Sequence, residues 1–189
     1  PVEVDKFFIS KEVGDYFLIG CRLAPYKRVD LAVECFKQLG PEYKLKVFGD
    51  GVDLKRLKKI AKNCKNIEFL GRINDELKAE LFSKCLAFIH PQEEDFGISK
   101  VEAMASGRPV IAYKKGGAIE TIIDGETGMF FEHQTVESLK NCVQKFYTEN
   151  KKDKNRWNSQ FIRNHAKKFS LNNFRDNIKR FIDNINNLK

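Results

Sequence analysis

His90-Pro91-Gln92-Glu93-Glu94-Asp95-Phe96-Gly97-Ile98-Ser99-Lys100-Val101-Glu102-Ala103-Met104-Ala105-Ser106-Gly107-Arg108-Pro109 decides how this chain folds. The apolar run Leu86 to Ile89 leads into it and reads as a strand, which Pro91 and an acidic loop interrupt. A helix is predicted to open at Gly97 and to stop at Gly107, just before Pro109. Glu94 in the loop and Glu102 on the helix flank the backbone N–H groups of Phe96, Gly97 and Ile98, which have no partner inside the helix. Such a helix start attracts phosphate, and carboxylates beside it accept hydrogen bonds from hydroxyls. The arrangement suits a ligand with a phosphate in the middle and hydroxyls at both ends.

Working outward, Tyr16 to Gly20 is a short apolar run closed by Gly, the pattern of a buried strand. A loop with Pro25 follows, then a helix keeping Val29, Ala32, Val33, Phe36 and Leu39 on one face until Gly40-Pro41 ends it. Lys44 to Gly49 reads as strand two, Leu54, Leu57 and Ala61 as a helix face, Asn66 to Leu70 as strand three, and Leu77, Leu81, Phe82 and Cys85 as the stripe of the next helix. Leu86 to His90, Pro109 to Tyr113 and about Gly128 to Phe131 complete six strands. Strand and helix alternate, so the predicted fold is α/β, a Rossmann-like doubly wound parallel sheet of about six strands with C-terminal helices. In the order 3-2-1-4-5-6, the loops after strands one and four diverge at the switch point where ligands bind. Those loops carry Arg22 with Lys27, and Glu94 with Glu102.

After Glu132 only helices are expected: about Val136 to Tyr147, a basic break at Lys151 to Lys154, about Arg156 to Phe169, and a last helix with Phe174, Ile178, Phe181, Ile182 and Ile185 on one face. The tail with Asn184, Asn186, Asn187 and Lys189 is expected to fray. At 189 residues, 1–189 fits one domain with a sizeable core. Pro1 in place of an initiator Met, with no signal-like apolar segment, suggests a piece cut from a longer protein.

The formal charge of +8 admits a polyphosphate ligand, an anionic membrane or nucleic acid. Its lysines concentrate at Lys55, Arg56, Lys58, Lys59, Lys62 and Lys65, and again at Lys151, Lys152, Lys154 and Arg156, which reads first as solvated helix faces. Nucleic acid is disfavoured because no aromatic residues interleave with these runs. The five cysteines are odd in number and widely spaced, so neither a disulfide framework nor a zinc site is expected. His90, His133 and His165 lack metal-ligand spacing, and His90 reads as structural. No apolar run is long enough to span a bilayer. A reducing cytoplasm is the expected setting, with peripheral contact at the inner face of a membrane left open by the charge.

Glu94-x7-Glu102 in this context resembles the signature of family GT4, retaining glycosyltransferases of two-domain GT-B architecture also called glycosyl transferases group 1. Gly20-Cys21-Arg22-Leu23-Ala24-Pro25-Tyr26-Lys27 resembles that family's G-R-L-x-x-x-K loop, Gly49-Asp50-Gly51 its G-x-G turn, and Gly71-Arg72-Ile73 its third-strand loop. Gly107-Arg108-Pro109-Val110, Gly116-Gly117-Ala118-Ile119-Glu120 and Asp124-Gly125-Glu126-Thr127-Gly128 follow in the family's order. The likeness spans about residues 16 to 185, the C-terminal, donor-binding half of such an enzyme, and implies an N-terminal acceptor domain not contained here.

The resemblance implies that Arg22 and Lys27 stabilise the donor diphosphate as leaving group, that Glu94 holds hydroxyls of the transferred sugar, and that these three are catalytic. Gly20, Phe96, Gly97 and Ile98 would complete the loops around the phosphates, Arg72 and Ile73 would contact the base, and Glu102 the ribose. For each the plain alternative is an ordinary surface charge or turn, and for Gly116-Gly117 a diphosphate wall and a structural turn stand level. The implied activity is transfer of a hexosyl group from GDP-mannose or a UDP-hexose, mannosyl transfer foremost, to a saccharide or lipid-linked acceptor with retention, without metal or other cofactor. A GT-B-like nucleotide-sugar epimerase and a non-catalytic nucleotide-sugar-binding module are the alternatives. A dehydrogenase is disfavoured because Gly20-Cys21-Arg22 is not G-x-G-x-x-G.

Overall fold

The computed structural model describes residues 1–186. Six strands, β1 (Tyr16–Gly20), β2 (Lys44–Phe48), β3 (Ile67–Gly71), β4 (Phe88–His90), β5 (Val110–Tyr113) and β6 (Gly128–Phe131), form one sheet in the order β3-β2-β1-β4-β5-β6. Every neighbouring pair is parallel. Parallel pairing requires a crossover after each strand, and these crossovers are helices: α1 (Val29–Gln38), α2 (Leu54–Ile60), α3 (Asp75–Lys84), α4 (Ile98–Ala105) and the short α5 (Ala118–Thr121). After β6 come α6 (Val136–Lys152), α7 (Ser159–Ala166) and α8 (Leu171–Asn186). The fold is the doubly wound α/β sheet that the alternation predicts. Helix α1 packs with α2 and α6, and α4 with α3 and α7, so helices cover both faces.

Burial explains why the central strands read as continuous apolar runs. All five residues of β1 and all three of β4 are buried, because helices lie above and below them. Phe17 on β1 meets Phe36 of α1 edge-on at 5.3 Å and Phe146 of α6 at 5.8 Å, pinning both helices to the sheet. Each fully buried Phe contributes roughly 1.5 to 3 kcal/mol by leaving water. Residues before Tyr16, outside the resemblance, also join the core. Val2, Val4 and Phe7 are buried, Val2 exchanges backbone hydrogen bonds with Phe169 and Leu171, and Phe7 packs edge-on against Phe82.

Several boundaries differ from the sequence pattern. Helix α6 continues past Tyr147 to Lys152, two residues into the expected basic break, since lysines are good helix formers and favour a helix C-terminus. Helix α7 starts only at Ser159 because the Asn158 side chain accepts a hydrogen bond from the Phe161 N–H and caps it there. Leu77, expected on the buried stripe of α3, is 40% exposed, and Ala79 and Ser83 are buried with Leu81 and Phe82. Asn187 and Lys189, expected to fray, lie outside the described residues. No helix among the described residues is long and apolar enough to cross a membrane.

Candidate functional site

The site grows from the C-terminal ends of β1 and β4, which are neighbours paired at Leu18 and Phe88. After Gly20 the chain turns through Pro25–Lys27, a single 3-10 turn, and this swings the Lys27 ammonium onto the Glu94 carboxylate. The pair bridges the two diverging loops. Glu94 also accepts from Gln92 Nε2 at 3.2 Å on its second oxygen, which lies 3.8 Å from His90 Nε2. Gln92 and His90 are both buried, and neither ring nitrogen of His90 has a hydrogen-bond partner. Burial, reinforced by Lys100 and Lys27, holds the His90 pKa well below the usual imidazole range, so the ring is neutral.

Helix α4 opens at Gly97, whose φ of 73° lies in the left-handed region. A Cβ there would meet His90 Cε1 and Lys100 Nζ at 2.8 Å, so strain and space both select glycine. Lys100 is fully buried and folds back to donate to the Phe96 carbonyl. Burial pushes its ammonium down to about 8, against the pull of Glu120. From below, the Gly117 N–H donates to the Glu94 carbonyl at 2.8 Å, and a Cβ on Gly117 would strike the Asp95 carbonyl at 1.9 Å. Gly116-Gly117 therefore braces the acidic loop through backbone contact, as a structural turn would.

Three hollows run side by side along this edge. The largest, about 750 Å³, has Arg22, Tyr26 and Lys27 on one wall and Glu94, Phe96, Gly97 and Ile98 on the other. A second, about 350 Å³, shares Arg22 with the first and adds Gly20, Arg72, Ile73 and Lys78. A third, about 270 Å³, holds Glu102 and shares Lys78 with the second and Ile98 with the first. Arg22 is exposed, and Arg72 projects into solvent with its Nε donating to Asp50 at 3.1 Å. Glu102 is buried, its pKa raised by burial although Lys78 Nζ sits 2.6 Å away.

All ten residues picked from the sequence thus stand on one edge, but Glu94 and Glu102 face different hollows and each is already held by a lysine. Sequence reasoning missed Gln92, Lys78 and Lys100. Gln92 stands two residues before Glu94, a signal that was available; Lys78 is on another helix, with no local signal linking it to Glu102. Chemically, the edge offers cations and an open helix start between two carboxylates, which fits a diphosphate flanked by hydroxyl-bearing groups. Among the described residues no three His, Cys, Asp or Glu side chains cluster as a metal site requires.

Residues 4–163 match the family described as Glycosyl transferases group 1. The chain belongs to this family. It is 32% identical over 145 residues to an uncharacterized glycosyltransferase of Methanocaldococcus jannaschii, a match covering 71% of this chain and 40% of that protein. Over 82 residues it is 40% identical to an alpha-1,3/1,6-mannosyltransferase of Dictyostelium discoideum, covering 43% of this chain and 19% of the relative. The crystal structure of Anabaena HepE in complex with UDP and glucose superposes with a TM-score of 0.82 at 20% identity, covering 96% of this chain and 55% of that one. The matches span less than half the length of these two relatives, and the likeness to HepE shows a shared GT-B fold. The group 1 chain is thus the size of a C-terminal domain, with nucleotide sugars as the family's substrates.

Proposed function

We propose that this group 1 chain is the donor-binding half of a GT4-type retaining hexosyltransferase, taking its hexosyl group from GDP-mannose or a UDP-hexose. The observation that carries it is the Lys27–Glu94 pair beside the N-terminus of α4, at the switch point of the sheet. A diphosphate entering the larger hollow would draw the Lys27 ammonium and the α4 N–H groups, with Arg22 closing from the exposed side. Glu94, released from Lys27 and steadied by Gln92, would then accept hydroxyls of the sugar. Arg22 and Lys27 neutralise charge on the diphosphate as it leaves, so no metal is part of this proposal. Glu102 would turn from Lys78 toward ribose hydroxyls, and Arg72 and Ile73 would flank the base.

The Dictyostelium relative supports a mannosyl group and HepE supports a UDP donor. We place residues 1–189 in one nucleotide-sugar-binding domain. An N-terminal domain beyond this chain would hold the saccharide or lipid-linked acceptor, so the chain alone binds donor and transfers sugar negligibly. Titration calorimetry with UDP, GDP, UDP-glucose and GDP-mannose tests the reading. Arg22→Ala should weaken the nucleoside diphosphate by about 1.5 to 3 kcal/mol, the scale of a charge-assisted hydrogen bond. Glu94→Gln should weaken chiefly the sugar-bearing donor and Glu102→Gln both ligands alike; unchanged affinity in Arg22→Ala would sink the placement.

A further inference from the structure

A hollow of about 870 Å³, against about 750 Å³ beside Glu94, lies at the opposite edge of the sheet. It opens where the chain enters the strands, between Gly14 before β1, Leu86 before β4 and Pro109 before β5, and the turn after α6 closes its far side. Four cations line it, Lys11, Arg108, Lys151 and Lys154, and no lining residue is acidic. The acids next to it in sequence have partners of their own, and Asp15 pairs with Lys44 at 2.5 Å. Glu12 faces Lys84 at 4.0 Å, Glu149 faces Arg156 at 3.4 Å, and Asp153 accepts from the Asn155 N–H at 2.8 Å.

A second observation points to a ligand. Arg108, 6% exposed, and Trp157, 7% exposed, both line the same hollow, so a buried cation stands in its wall. Arg108 spends Nε on the Ser83 carbonyl and Nη2 on the Ser10 carbonyl, so its guanidinium is fixed in place with donors left over. The amides of Asn150 and Asn155 and the apolar surfaces of Val13 and Leu86 complete a wall that is neither purely charged nor purely greasy. The volume far exceeds that of a bare phosphate ion and falls in the usual range of small-molecule sites.

We propose that this hollow binds a small organic anion, a phosphate or carboxylate carried on a hydroxyl-bearing body of sugar size. The donor site at the other edge has no part in it.

Trp157 is the single tryptophan of the chain, so its emission and its indole N–H resonance report on the hollow directly. The chain is titrated with glucose 6-phosphate, glucuronate, inorganic phosphate and neutral glucose. Saturable shifts are expected with glucose 6-phosphate or glucuronate, the stronger of the two naming the anionic group. Lys11 and Lys154 are both exposed, so Lys11→Glu/Lys154→Glu should keep the melting temperature and the nucleotide affinity while losing about tenfold or more in anion affinity. No saturable response to either organic anion up to about 10 mM overturns the site. So does an equal response to neutral glucose, or a double variant that binds as the unaltered chain does. Inorganic phosphate binding as tightly as glucose 6-phosphate overturns the sugar-sized body.

Discussion

Helix α4 buries every residue from Lys100 to Ala105, charged ones included, whereas α8, twice as long, leaves Phe174, Ile178, Phe181, Ile182 and Ile185 between 44% and 63% exposed. The cleaner apolar stripe belongs to α8, and the deeper burial to α4. Periodicity specifies that a helix has an apolar face; only the neighbours decide whether anything covers it. Helix α4 follows the central strand β4 and is packed by α3 and α7, so even Lys100 and Glu102 are carried inside. Helix α8 trails the last strand, and its stripe meets no such cover among the described residues. The comparison makes core and surface predictions that hydropathy alone would reverse.

The largest expected effect is at Met104, fully buried on α4. Met104→Ala should cost about 3 to 4 kcal/mol by leaving a cavity that close-packed neighbours cannot fill. Urea denaturation measures it, and a cost under about 1 kcal/mol would show that α4 is not packed as described.

Lys100 comes next, with the opposite sign. Its folded pKa of about 8 lies below the unfolded value of 10.5, so between these values the unfolded chain holds a proton that the folded chain has released. Stability therefore rises with pH across that window, and below it the burial penalty is complete, roughly 3 kcal/mol. Removing the hydrogen bond to the Phe96 carbonyl returns about 1 kcal/mol of cost. Lys100→Met should then stabilise the chain by about 2 kcal/mol at pH 7, with the gain shrinking toward pH 10. A destabilised variant at pH 7 would mean that the ammonium is paired rather than penalised.

The smallest effect is expected on α8. Phe181→Ser should change stability by less than about 0.5 kcal/mol, since the ring has little contact to lose. A loss of several times that amount would show the stripe covered in solution and would end the contrast with α4.

Much of the architecture was legible because it rests on short-range pattern. Tyr16–Gly20 and Gly128–Phe131 were bounded as observed, and parallel pairing followed from alternation and crossover handedness, the assumed order 3-2-1-4-5-6 being the one observed. The ten residues that the resemblance singles out converge on one edge because the topology places the loops after β1 and β4 side by side. What escaped was contact across distance. Lys78 meets Glu102 and Lys27 meets Glu94 from elements far apart in the chain, and neither pairing leaves a mark within a window of local sequence.

By itself the amino-acid sequence determined the α/β alternation, the glycine at the start of α4 and the types of side chain available to a phosphate-bearing ligand, because these depend on backbone sterics, periodicity and charge read over a few residues. The tertiary structure alone decided that Lys100 is buried and His90 left without a partner, and that Val2, Val4 and Phe7 join the core. It also decided that a cation-lined hollow forms at the edge opposite Glu94. Each of these depends on which surfaces are brought within a few ångströms of one another. That is a property of the packed sheet and its helices, and burial converts an ordinary lysine or histidine into an unbalanced one only there.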